Sequence, residues 1–285
     1  MKIYRVGKTI GKLLIQVLVA VEVLIFIAAF PVLFENLTVN FKPYIESVYE
    51  LNSRIFTLSD FYTADGKNSL FPFILYRYFN SMKMLAMGIT VAIAIAFSIS
   101  YLALIFFKKK IRYLKSFLEL LESIPDLIFI LLLQFSVVFI YKQTGVKLAQ
   151  VVTLREEAIL LPVISLSVPI SFYITKVLLH YIEEELEKYY VSLARAKGMH
   201  FSYILNVHVL RNIADGMFGT SKTIFWSSLS TLLIVDYLFN MNGLLRMMLT
   251  STDPFFIGSV LIFVPFFIIY RIYEVFSFDQ RKEMK

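Results

Sequence analysis

Met84-Leu-Ala-Met-Gly-Ile-Thr-Val-Ala-Ile-Ala-Ile-Ala-Phe-Ser-Ile-Ser-Tyr-Leu-Ala-Leu-Ile-Phe-Phe107 holds no charged side chain and runs straight into Lys108-Lys109-Lys110. A bilayer core of about 30 Å takes roughly 20 apolar residues in helix to cross. Lipid offers the backbone no hydrogen-bond partner, so a crossing segment is either a helix or a strand of a closed barrel. Barrel strands alternate apolar and polar residues over about ten positions. This run is longer and does not alternate, so it reads as a transmembrane helix.

The rest of the chain agrees. Of 285 residues, 58% are hydrophobic and 17% charged, and the mean hydropathy is +0.72. A soluble domain carries about 45–50% apolar and about 25% charged residues. A soluble monomer of this composition has nowhere to hide its apolar surface. The absence of cysteine excludes a disulfide scaffold, a thiolate metal site and a cysteine nucleophile. Five further apolar runs are Leu13 to Phe34, Ile124 to Tyr141, Ile159 to Leu179, Phe218 to Leu238 and Phe255 to Tyr273. The expectation is an all-α polytopic membrane protein of six transmembrane helices.

Basic residues orient it. The N-terminus, loop 108–116, loop 176–215 and the chain from Arg271 onward hold 18 of the 28 Lys and Arg, and loops 35–83, 142–157 and 239–254 hold 9. The positive-inside rule then places both termini in the cytoplasm, as an even number of crossings requires. The net charge of +7 is accounted for by these loops, without nucleic acid. The first apolar run is longer than a signal-peptide core and no small-x-small site follows it, so it reads as a retained anchor. Asn36-Leu37-Thr38 matches a glycosylation sequon, a three-residue pattern common by chance. Three segments follow: 1–83, an anchor helix with a long extracytoplasmic loop expected to fold as a small element; 84–276, the transmembrane core with a cytoplasmic loop at 180–215; and 277–285, a cytoplasmic tail.

The cytoplasmic loop carries the most information. Ile182, Leu186, Tyr189, Tyr190 and Leu193 recur at helical spacing, with Glu183, Glu184, Glu187 and Lys188 on the other face. This predicts one amphipathic helix over 183–197. Gly198 suits the left-handed residue that ends a helix, and Lys197 suits its last turn. A second short apolar run, Ile204 to Leu210, follows.

Tyr190-Val-Ser-Leu-Ala-Arg-Ala-Lys-Gly198, nine residues, then His208-Val-Leu-Arg-Asn212 resembles the cytoplasmic motif of binding-protein-dependent ABC importer permeases. Its general form is Glu-Ala-Ala, three residues, Gly, nine residues, Ile-x-Leu-Pro. The Ala194-Arg195-Ala196-Lys197-Gly198 core with His208, Leu210, Arg211 and Asn212 is similar to the version in oligopeptide, dipeptide and nickel permeases. Glu122-Ser-Ile-Pro125, Leu161 to Pro169, Tyr237 to Leu245 and Asp253-Pro254 extend the likeness over roughly residues 80–276. Three departures stand out: Ser192-Leu193 for Glu-Ala, Asp215-Gly216 where proline is usual, and Asn242-Gly243 for Pro-Gly.

The resemblance implies a pore subunit in a bacterial inner membrane, multi-pass. It implies pairing with a second homologous permease, in a heterodimer, with two ATPase subunits and with an extracytoplasmic solute-binding lipoprotein. The loop 180–215 would be the ATPase-coupling loop, with the amphipathic helix before Gly198 as the coupling helix and the motif residues between Tyr190 and Asn212 as its site. ATP and Mg would sit on the partner ATPases, with no cofactor in this chain. Peptide is the substrate class implied, with nickel or another small solute as the alternative.

The residues alone also exclude alternatives. Gly7-Lys8-Thr9 lacks the glycine a phosphate loop needs, because Lys2 stands there and no strand precedes it. No His-Glu-x-x-His, Gly-x-Ser-x-Gly or carboxylate cage is written in the chain, and His180, His200 and His208 lack ligand spacing. An ATPase-independent channel or secondary transporter would carry an inverted repeat or paired intramembrane acids, which the sequence does not show.

Polar residues within spans mark candidates for the translocation path. Thr220, Thr223, Ser227, Ser230 and Thr231 recur at helical spacing in the fifth run. Two readings stay open for this face: close helix packing through small hydroxyl residues, and the lining of a polar route. Glu22 in the first run costs about 2.5–3.5 kcal/mol if alone at mid-membrane, and so calls for a partner or a polar cavity. Gln134 is the polar break in the third run.

Overall fold

The computed structural model describes the backbone of residues 2–57, 61–62, 68–107, 110–153 and 158–283. Side chains are described within these segments except those of 2–10, 35–37 and 274–283. Lys108 and Lys109 of the basic run and the side chains of Asn36 and Leu37 therefore lie outside the described residues. Among the described residues every regular element is a helix, apart from an isolated bridge between Tyr62 and Ser69. It divides into two compact units: residues 1–81 with 242–285, and residues 82–241.

In the first unit, α1 (Lys2–Ala29) packs on α11 (Thr252–Glu283) and on α2 (Phe41–Thr57), with a 3₁₀ segment (Phe30–Leu37) between α1 and α2. Polar ties fix the helix ends. Arg54 Nη1 donates to Asp253 Oδ2 at 2.7 Å, and Tyr62 N donates to the same oxygen at 3.3 Å. Arg271 Nε and Nη2 donate to Gln16 Oε1 at 3.1 and 3.0 Å. The short α10 (Leu244–Met248) is capped by a side chain from far away in sequence, with Leu244 N donating to the buried Ser81 Oγ at 2.8 Å.

The helix that carries the second apolar run begins before it. α3 is one helix over Leu70–Phe106, not one starting at Met84. Pro72 sits in its first turn, where a missing N–H costs nothing. Arg77, Asn80 and Lys83 end the apolar pattern, but none of them breaks a helix.

The second unit is built around α6 (Leu160–Leu186). Of its most apolar window 56% is buried, against 6% for α5 (Asp126–Thr144). It packs against α4 (Ile111–Glu122), α5 and α9 (Leu210–Leu238). Local sequence sets the boundaries of α5. Pro125 at φ −57° and ψ 136° opens it, and Asp126 favours its first turn. Gly145 at φ 72° closes it, donating to Tyr141 O at 2.8 Å. Gly88 lets α3 and α6 approach: a Cβ there would stand 2.9 Å from Leu166 Cγ.

Among the described residues, five helices are long and apolar enough to cross a membrane: Gly11–Phe34, Leu70–Phe106, Asp126–Thr144, Leu160–Leu186 and Thr252–Tyr273. The fifth predicted span forms as a helix, α9, of 29 residues, but is not among them. Arg211, Asp215, Lys222 and Asp236 lie in it beside its hydroxyls.

The expected single helix over 183–197 is corrected. α6 continues to Leu186, the chain breaks at Glu187–Lys188, and α7 runs over Tyr189–Ala196. Lys188 takes extended backbone at φ −70° and ψ 148°, which redirects the chain. The expected apolar face is split by that break. Ile182 is buried at 2% exposure, while Tyr189 is 95% and Leu193 57% exposed. The second short run is also longer than expected. The turn α8 (Phe201–Tyr203) passes through a π-helical segment (Ile204–Val209) directly into α9.

Candidate functional site

Two places in the second unit gather the residues singled out from sequence. The first is the block formed by the end of α6, α7 and the start of α9. Its floor is apolar: Leu178, Leu179, Ile182, Val191, Ala194, Ile204, Leu205, Val209 and Ile213 pack with Leu104 and Ile111 into one buried cluster. Burial of such side chains stabilises by roughly 1.5–3 kcal/mol each. α7 thus rests on the long helices through Val191 and Ala194, and turns Tyr189 and Leu193 outward.

α7 ends as Gly198 predicts. The glycine has φ +76°. Gly198 N donates to Arg195 O at 2.9 Å and Met199 N to Ala194 O at 3.2 Å, the paired bonds of a Schellman turn. Arg195, Ala196, Lys197 and Arg211 face solvent, whereas Leu210 packs against the cluster. His208 sits in the π segment between two rings, with centroids 6.4 Å from Tyr190 and 5.8 Å from Tyr203.

Tyr190 and Asn212 meet at a residue the motif does not contain. Glu185, 5% exposed, accepts from Tyr190 Oη at 2.7 Å and from Asn212 Nδ2 at 3.1 Å on one oxygen. Lys188 Nζ donates to its other oxygen at 2.6 Å. Burial and the bond to Glu185 push the Tyr190 phenol up to about 12, so at neutral pH it is a donor. Helical periodicity gives no sign of Glu185, because Glu185 and Tyr190 are brought together by the break at Lys188 rather than by a turn of one helix.

The second place is a cleft of about 200 Å³ between α4, α5, α6 and α9. Glu122, Asp126, Tyr173, Thr223 and Ser227 line it, with Pro169 in the wall. Glu122 is ion-paired with Lys176. Asp126, at the first turn of α5, accepts from the Thr231 hydroxyl, whose single proton also lies within reach of Ser227 O at 3.2 Å. The hydroxyl face of α9 is therefore divided. Thr223 and Ser227 open on the cleft, Ser230 is exposed, and Thr231 is buried at 1% exposure against Asp126. Burial against Asp126 and exposure to the cleft thus fall on adjacent strips of one helix.

The other two path candidates stand elsewhere. Gln134 donates to Val151 O and Leu238 O, each at 3.4 Å, tying α5 to the far end of α9. Glu22 belongs to the first unit, where Asn52 Nδ2 donates to its Oε2 at 3.5 Å. Among the described residues no group of three or more His, Asp or Glu is placed to hold a metal ion.

Residues 88–282 match the family described as the inner membrane component of binding-protein-dependent transport systems. The chain belongs to that family. The match takes in α4 to α10, the second half of α3, nearly all of α11, both places described above and the whole of the 190–212 motif. No curated protein sequence matches the chain. The protein is thus a multi-pass permease component of an ABC importer, a family that works with ATPase and binding-protein partners.

Proposed function

We propose that this permease imports oligopeptides or dipeptides, taking solute from an extracytoplasmic lipoprotein and drawing on two cytoplasmic ATPase subunits that bind ATP and Mg. A second, homologous permease completes the pore. The segment 190–212 is its ATPase-coupling loop. The observation that carries this reading is the outward apolar pair Tyr189 and Leu193 on a short helix closed by Gly198. An exposed apolar ridge on a rigid base fits a groove in a partner by the helix-in-groove mode. In this reading α9 is the sixth crossing: at about 1.5 Å per residue its 29 residues exceed the bilayer core. Its lower apolarity follows from a polar strip turned to the cleft rather than to lipid. Both termini then lie in the bacterial cytoplasm, and Thr223, Ser227 and Ser230 border the route.

Purification of the permease pair with its ATPases in detergent, followed by dipeptide uptake into proteoliposomes, tests the reading. Co-purifying ATPase and ATP-dependent uptake are expected. Uptake of nickel with no uptake of peptide would replace the substrate class, and absence of ATPase would overturn the docking role. Cytoplasm-only reporters fused after Lys110, Asn212 or Lys285 should be active, and those after Asp65 or Lys147 inactive.

A further inference from the structure

Glu185 holds three elements at one point. It lies in the last turn of α6, accepts from Tyr190 at the start of α7 and from Asn212 at the start of α9, and takes Lys188 from the linker between α6 and α7. Bonds to an ionised carboxylate are short and directional. Here two different donors, at 2.7 and 3.1 Å, share one oxygen, and the ammonium at 2.6 Å occupies the other.

The surroundings give this arrangement a mechanical meaning. α7 is only eight residues long, entered through the extended Lys188 and left through the left-handed Gly198. Both ends are turns, so neither helix continuity nor a neighbouring strand fixes its register. The apolar floor under Val191 and Ala194 holds α7 down, but apolar attraction is non-directional and resists sliding weakly. The directional contacts converge on Glu185. A push on Tyr189 and Leu193 therefore reaches α6 and α9 together only while that carboxylate holds.

We propose that Glu185 is the positioning residue for energy coupling: its carboxylate locks α7 to α6 and α9, so that displacement of α7 by an ATPase subunit moves both long helices as one. This rests on reading 190–212 as the ATPase-docking loop. The intact transporter, permease pair with ATPases in proteoliposomes, is assayed for ATPase content and for solute moved per ATP hydrolysed. Glu185→Gln keeps the shape but sets an amide donor against a donor. It should lower the solute-to-ATP ratio at least tenfold with ATPase content unchanged. Tyr190→Phe should lower it less, and Glu185→Gln with Tyr190→Phe should be no worse than Glu185→Gln alone, because both act through one contact. Glu185→Asp should recover part of the ratio.

An unchanged ratio in Glu185→Gln overturns the proposal, as does a fall that only tracks loss of assembled complex, or an additive loss in the double variant. Wild-type permease that retains no ATPase would sink the docking reading itself, and the proposal with it.

Discussion

One helix, α9, is built in opposite ways at its start and at its middle. At the start, Asn212 is tied to Glu185 and Ile213 is sealed into the apolar floor. At the middle, Thr223 and Ser227 face a cleft and Ser230 is exposed, while the next residue, Thr231, is buried on Asp126. The start is closed on itself. The middle is closed on one strip and open on the next. In the proposed mechanism a segment that transmits force needs fixed contacts to its neighbours, such as those of Asn212 and Ile213, since any slack is lost motion. A segment that borders a route needs some polar groups left open to water or solute. Neutral hydroxyls suit the second task because they bind weakly enough to release.

Four substitutions press on this contrast, ordered by their expected effect. Asp126→Ala strikes the closed strip of the middle: it removes a charge-assisted bond to a buried hydroxyl and should destabilise by about 1–3 kcal/mol. Thermal unfolding of the detergent-solubilised protein reads this. A stability equal to wild type would mean that Thr231 is not held by Asp126. Gly198→Val strikes the block packed on that start, at the end of α7. No atom lies within 4 Å of the added Cβ, so the cost is purely that of left-handed backbone, about 1–2 kcal/mol. The block should shift and uptake should fall while membrane insertion stays normal. Full uptake with normal ATPase co-purification would refute its coupling role.

Ser230→Leu strikes the open strip. Its side chain is exposed, so stability should change by no more than about 0.5 kcal/mol while uptake drops. Loss of assembly instead would show that this strip packs against a partner permease and is closed after all. Ser227→Cys is the mildest change, in a chain with no native cysteine. It should react with a small water-soluble thiol reagent, faster during turnover. Protection in every state would remove the cleft from the route.

Much of this was legible because the signals are local. The apolar runs, the prolines opening α5 and lying within α6, and Gly198 each act through backbone chemistry within a few residues. Gly198 has the left-handed φ expected of it. The errors arose where the signal was local but the outcome was not. The apolar stripe from Ile182 to Leu193 reads as one helix face, yet extended Lys188 breaks it, leaving Ile182 buried and Tyr189 and Leu193 exposed. Met84 marks the start of the apolar run because polarity changes there, but the helix extends beyond it, since helices end at breakers and caps, not at polar residues. α3 therefore begins at Leu70.

The sequence by itself determined that the chain is helical, rich in membrane-length apolar segments, and bears the importer permease motif. Each of these is written in composition or in spacing along a single strand of chain. Only the tertiary structure decided what the polar residues do. Glu22 finds Asn52, Gln134 finds the end of α9, Thr231 finds Asp126, and Glu185 gathers Tyr190, Lys188 and Asn212. Most of these partners stand tens of residues away. A buried polar group must be satisfied by whatever neighbour the packing of the helices supplies, and no periodicity along the chain encodes which neighbour that is.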